Sequence, residues 1–255
     1  MAQAIFDLTG RLALVTGSSQ GIGFALARGL AEAGARVVLN GRDAGKLAAA
    51  AARLSSEGLL VEQAAFDVAD IEGLDGAVAA LEAAHGPLHI LVNNAGILRP
   101  KPSVDVTLAQ WKEVLGTNVD AVFFLAQAAS RRMIARKAGK IINICSVLSE
   151  LARPAIASYA TSKGALRMMT RSLCAEWAKH GVQVNGIAPG YFATEMTSAV
   201  VTDKAFTDWL CQRTPAGRWG KVEELVGAAV FLAAPASDFV NGQLLYVDGG
   251  MTAVI

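Results

Sequence analysis

Short apolar runs alternate with stretches of helical periodicity along almost the whole chain. The runs fall at 11–16 (RLALVT), 35–40 (ARVVLN), 59–66, 88–92, 141–145 (IINIC), 182–187 and 244–247. They are short and rich in Val, Ile and Leu, as strands buried on both faces of a parallel sheet are. Between them, Ile22, Leu26 and Leu30 recur at helical spacing up to Gly34, and an Ala-rich helix spans roughly 44–56. A further helix precedes the fourth strand, helices run from about 107 to 137, and a strongly apolar one covers 223–234. The stretch 191–219 breaks the rhythm: weak periodicity, aromatic residues and a cluster of Gly and Pro, the character of a mobile lid. Strands alternating with helices predict an α/β fold. We expect a single domain over 1–255, a doubly wound parallel sheet of the Rossmann type, with about seven strands and helices on both faces.

Ligands of such sheets bind beyond the carboxyl ends of the strands. Gly17, Gly41, Asp67, Asn93, Ser146 and Pro189 all fall at those ends, and their convergence is the main functional signal. The first strand runs into Gly17-Ser18-Ser19-Gln20-Gly21-Ile22-Gly23 and then a helix. Backbone N–H groups at such a helix N-terminus face an anion. The spacing is G-x-x-x-G-x-G, and a structural glycine turn is the alternative. Asp67 closes the third strand, either as a turn residue or near an adenine. Asn93-Asn94-Ala95-Gly96 reads as a tight turn, or as one that approaches a ribose. Asn118 interrupts a helix, where a buried Asn usually has a polar task.

Tyr159 and Lys163 stand four residues apart on one helix face, downstream of Ser146. As a surface pair they mean little. With the strand-end serine they form a site for moving a proton on and off an alcohol or carbonyl oxygen, the ammonium lowering a phenol pKa otherwise near ~10.

Composition narrows the classes. The formal net charge is +1 over 255 residues, with no basic stripe, so nucleic acid and anionic membrane are poor partners. No apolar run reaches the ~18 residues of a spanning helix. MAQAIFDLTG shows no signal peptide, and Cys145, Cys174 and Cys211 form neither a metal pattern nor a disulfide framework. A cytoplasmic protein without a metal is expected. The high apolar fraction points to surface buried between subunits.

Taken together, TGSSQGIG (16–23), NNAG (93–96), Asn118, Ser146, YATSK (159–163) and APG (188–190) resemble the short-chain dehydrogenase/reductase family, over essentially the whole chain. The resemblance implies an NAD(P)-dependent alcohol dehydrogenase or ketone reductase. Tyr159 would be the acid–base group, Lys163 would lower its pKa and hold the nicotinamide ribose, Ser146 would orient the substrate oxygen, and Asn118 would anchor a proton-relay water. It places cofactor contacts at Gly17, Ser19, Gln20, Gly21, Ile22, Gly23, Arg42, Asp67, Val68, Asn94, Ala95, Gly96, Tyr159, Lys163, Pro189, Gly190 and Thr194. NADP is expected over NAD, with NAD possible, because Gly41 stands where an NAD-selecting carboxylate would fall and Arg42 follows. The stretches 146–153, 176–197, 213–220 and 239–250 resemble family members acting on a sugar acid. A small-molecule sugar acid or ketone is therefore the expected substrate, its carboxylate held by Arg99 or Arg153 unless both are solvated. Reductases of other sugars, polyols or 3-oxoacyl compounds share the general motifs, and a non-catalytic nucleotide-binding regulator is the remote alternative. The family resemblance also implies a homotetramer.

Overall fold

The apolar runs become strands in a computed structural model that describes residues 4–254; the first three positions of the stretch read for a leader lie outside the described residues. In chain order the main elements are β1 (Leu12–Val15), α1 (Gly21–Glu32), β2 (Arg36–Gly41), α2 (Ala44–Ser56), β3 (Val61–Ala65), α3 (Leu74–His85) and β4 (Leu88–Asn93). There follow α4 (Leu108–Leu115), α5 (Ala121–Arg136), β5 (Gly139–Ile144), α6 (Ala157–Trp177) and β6 (Val182–Pro189). The chain ends with α7 (Ser198–Val201), α8 (Lys204–Arg213), α9 (Val226–Ala233) and β7 (Leu244–Val247).

The seven strands form one parallel sheet in the order β3-β2-β1-β4-β5-β6-β7. Both faces are covered. Leu26, Leu30, Leu39, Leu47, Ile142 and Leu232 pack one side, and Leu14, Val38, Leu91, Leu125, Ile141 and Leu173 the other. Each such side chain removed from water contributes roughly 1.5–3 kcal/mol before conformational entropy is charged against it. The strand order reverses between β1 and β4. There Asn94 Nδ2 donates to the Thr16 and Gly17 carbonyls at 2.8 and 3.1 Å, drawing the two loops together at the crevice where a ligand fits.

Three details depart from the sequence reading. β6 runs through Pro189, because a proline at the last position of a strand is asked for no ladder N–H, and Gly190 N–H donates onward to Val247 at 2.9 Å. The long helical region is interrupted at Gly116–Asp120 by a π-helical turn carrying Asn118. The 191–219 stretch is largely helical: α8 is capped by Asp203, whose carboxylate accepts from Phe206 N–H at 3.1 Å.

Candidate active site

The glycine positions of the loop leave little room for side chains. Gly17 and Gly21 adopt positive φ values of +61° and +58°, and a Cβ on Gly23 would lie 2.4 Å from both Asn94 Nδ2 and the Gly17 carbonyl oxygen. Left-handed φ and close backbone approach both call for glycine. Ser18 locks the loop from beneath, donating to Val15 O at 2.7 Å and accepting from Asn40 N–H at 3.0 Å. Gln20 leads into α1 without a side-chain cap, so the helix N-terminus opens on a cleft of about 890 Å³. All the residues expected at the cofactor line this cleft, from Gly17 and Ser19 through Asp67, Val68, Asn94, Ala95 and Gly96 to Pro189, Gly190 and Thr194. The cradle fits a dinucleotide: backbone donors for its phosphates, glycines where a Cβ would intrude, and an arginine at the β2 end. Arg42 projects there, 73 % exposed, 3.5 Å from the Asp67 carboxylate.

Ser146, Tyr159 and Lys163 meet in the same cleft. Ser146 follows β5 and caps a short turn, accepting from Leu148 N–H at 3.1 Å. Its hydroxyl lies close enough to the Tyr159 phenol to favour the ionised form. Lys163 is buried; its Nζ donates to Ile144 O at 2.7 Å and lies 5.6 Å from the Tyr159 ring centre. Burial pushes Tyr159 up to about 12 and Lys163 down to about 8. This reverses the expectation for the phenol. Desolvation outweighs the helpful neighbours, and those are Ser146 and Arg153 rather than Lys163. The Tyr159 phenol therefore holds its proton firmly at neutral pH.

Asn118 sits on the π-turn, fully buried. Its Oδ1 accepts from Ile97 N–H at 2.8 Å, and its Nδ2 donates to Ile97 O at 2.9 Å and to Ser162 Oγ at 3.0 Å. Ser162 donates in turn to the Tyr159 carbonyl at 2.7 Å, while Ser149 donates to the Lys163 carbonyl at 2.9 Å. Neither serine stands out in the sequence; only YATSK, which contains Ser162, gives a local signal. Beneath them runs a buried polar ladder: Asn93 donates to Asn143, and Asn143 to Thr170, each at 2.9 Å, and Thr170 to the Leu166 carbonyl at 2.8 Å. It fastens β4 and β5 to α6, the helix that carries Tyr159 and Lys163.

The two candidate arginines separate. Arg99 lines the cleft but is half-exposed and engaged by Glu113, at 2.7 Å through Nη2 and 3.2 Å through Nε. Arg153 lies against the 191–219 stretch, its guanidinium 5.7 Å above the Phe206 ring. Its Nε is buried with no hydrogen-bond partner among the described residues. A second groove of about 900 Å³ runs between α1 and residues 193–202, lined by Phe24, Arg28, Arg53 and Val226; it contains none of the Ser146, Tyr159 and Lys163 cluster. Among the described residues, no group of three or more His, Cys, Asp or Glu is placed to hold a metal ion.

The profile of a family described as enoyl-(acyl carrier protein) reductase matches residues 17–252. The chain is 57% identical to a gluconate 5-dehydrogenase of Gluconobacter oxydans (strain 621H), with 97% of each chain covered. It is 53% identical to a 5-keto-D-gluconate 5-reductase of Escherichia coli (strain K12), covering 98% of this chain and 99% of that one. Among solved structures, a gluconate 5-dehydrogenase from Burkholderia cenocepacia J2315 in complex with NADP and tartrate superposes with a TM-score of 0.97 at 56% identity, both chains covered in full.

Proposed function

The chain belongs to the short-chain dehydrogenase/reductase family of oxidoreductases, and from that premise we propose that it is an NADP-dependent gluconate 5-dehydrogenase. It interconverts D-gluconate and 5-keto-D-gluconate. The carrying observation is the partnerless Arg153 Nε on a guanidinium close enough to stabilise a negative charge on Tyr159. A carboxylate-bearing ketone would find there a cation for its acid group and a phenol proton for its carbonyl oxygen. The ion-paired Arg99 is the weaker clamp.

In the reductive direction Tyr159 gives its proton to the C5 oxygen while Ser146 holds that oxygen by a hydrogen bond. Lys163, fixed under the phenol by Ile144 O, supports the cofactor ribose and returns charge to the site. The nicotinamide, when bound, supplies the hydride on reduction and takes it on oxidation. Asn118 holds the π-turn open beside α6, at the mouth of a proton path to Lys163. The glycine loop takes the cofactor phosphates, Asn94, Ala95 and Gly96 its ribose, and Thr194 and the Pro189-Gly190 turn its nicotinamide end. Gly41 offers no carboxylate to repel a 2′-phosphate, and Arg42 offers a charged fork to attract it, so NADP is preferred and NAD remains usable. The 191–219 stretch acts as the lid.

The homotetramer belongs to the same reading. Leu108, Phe124, Phe239 and Leu245 are exposed apolar side chains, Phe239 fully so, and symmetric packing would cover them. A monomeric mass by light scattering at micromolar concentration contradicts it. Among the described residues no helix is long and apolar enough to cross a membrane, and a cytoplasmic enzyme accords with that.

The test is turnover by the purified protein with NADPH on 5-keto-D-gluconate, neutral ketoses and a 3-oxoacyl thioester. The expected result is the highest kcat/KM on 5-keto-D-gluconate. Faster reduction of the thioester overturns the substrate assignment while leaving the oxidoreductase class standing.

A further inference from the structure

Tyr191 stands at the hub of an aromatic cluster. Its ring meets Phe206, Trp209 and Trp219 edge-on, with centre separations of 5.7, 6.3 and 5.9 Å. Such edge-to-face contacts fix ring orientation as well as position. Trp219 adds a directional tie, its indole N–H donating to Thr207 Oγ1 at 3.3 Å. These rings come from both ends and the middle of the 191–219 stretch, so the cluster closes the lid upon itself.

Arg153 enters this cluster from outside, from the loop between Ser146 and Tyr159. Its guanidinium lies over the Phe206 ring, 5.7 Å from the ring centre, and close enough to the Tyr191 hydroxyl for its charge to favour the ionised phenol against burial. The loop that delivers it bends through Ala155 at φ +65°, a left-handed conformation costly for alanine, and the Ala155 carbonyl accepts from Lys101 N–H at 2.7 Å. One face of Arg153 is thus held by the lid, its Nε is left without a partner, and its charge falls on Tyr159.

We propose that Tyr191 and Phe206 are positioning residues that aim the Arg153 guanidinium at the substrate carboxylate, making lid geometry the determinant of selectivity for acidic over neutral ketoses. This rests on the gluconate reading above. A flexible arginine loses rotamer entropy on binding, whereas one already packed against the Phe206 ring and the Tyr191 phenol has lost much of it. The lid's contribution is therefore specific to substrates that use the guanidinium.

Tyr191→Phe removes the hydroxyl and keeps the ring, so the cluster stays packed; Phe206→Leu removes the stacking face. We would measure kcat and KM for 5-keto-D-gluconate and for fructose, reading fructose as a competitive inhibitor where it is not turned over. Each substitution is expected to raise the KM for 5-keto-D-gluconate by roughly tenfold or more, the size of a hydrogen bond to a charged group. The fructose constant should shift by less than about threefold, and kcat less than KM. On an Arg153→Ala background, Tyr191→Phe should then cause no further loss on 5-keto-D-gluconate, since residues acting through one group are not additive. Equal losses on both compounds, or full additivity with Arg153→Ala, overturns the proposal. If the wild-type protein prefers neutral ketoses outright, the substrate reading itself fails, and the two failures are told apart by the wild-type assay alone.

Discussion

The two sides of the proposed site, its cofactor wall and its substrate wall, are made differently. The cofactor wall is backbone: glycines at 17, 21 and 23 with positive φ or no space for a Cβ, stitched to the neighbouring loop by Asn94. The proposed substrate side, beside the cleft lining rather than in it, is side chain upon side chain, with Arg153 against Phe206 and Tyr191 and these against Trp209 and Trp219. A backbone wall accepts one kind of ligand and resists change. A wall of stacked side chains can be re-cut residue by residue, so one family scaffold can serve many alcohols and ketones.

The deepest cut into that contrast is at the seam between the walls. Tyr159→Phe should lower kcat by ~10²–10⁴-fold while NADPH binding, followed by fluorescence, stays near wild type; unchanged turnover would sink the acid–base role. On the backbone wall, Gly23→Ala drives a methyl onto Asn94 and the Gly17 carbonyl. Overpacking of that kind costs about 1–3 kcal/mol, to be read in thermal melts and in cofactor affinity together. If this variant binds NADPH normally, the wall is less rigid than its geometry implies. Arg42→Ala removes an exposed side chain of the cofactor wall, and should lower kcat/KM with NADPH by about tenfold while barely altering it with NADH. Equal loss with both cofactors removes the arginine's selective role.

The smallest effect lies at the opposite end of the sheet. His89 Nδ1 accepts from Leu12 N–H at 3.0 Å. Burial, with Arg11 and Arg136 nearby, lowers its pKa against the opposing pull of Glu82. The neutral ring is the folded form, so its contribution is complete above the unfolded value of about 6.5 and fades as pH falls below that. Melting temperature should dip modestly between pH 6.5 and 5, and His89→Asn should flatten the dip. A dip that persists in this variant assigns it to other groups.

The contrast also explains what could be read from the sequence. Strands, the glycine loop and the Tyr159–Lys163 pair are encoded by neighbours in the chain, so local patterns together with their convergence at strand ends reveal them. α8 was read as irregular because only one side of it packs, Leu210 being its one fully buried residue. The choice between Arg99 and Arg153 depends on Glu113 and Phe206, far away in sequence, and no local pattern carries it. The phenol's raised pKa was missed for the same reason: spacing predicts which charge is near, whereas burial is a property of the finished fold.

The ladder from Asn93 through Asn143 to Thr170 has a practical corollary for anyone redesigning the protein. It sets the height and rotation of α6 from below, through partners that belong to neither wall. The backbone positions of Tyr159 and Lys163 are thus fixed by partners outside residues 191–219. The part of that stretch beyond the Thr194 turn, residues 198–219, can be treated as replaceable: exchanged for the corresponding segment of a relative with another substrate, it should shift selectivity while Thr194, Tyr191 and the proton-transfer groups stay in place.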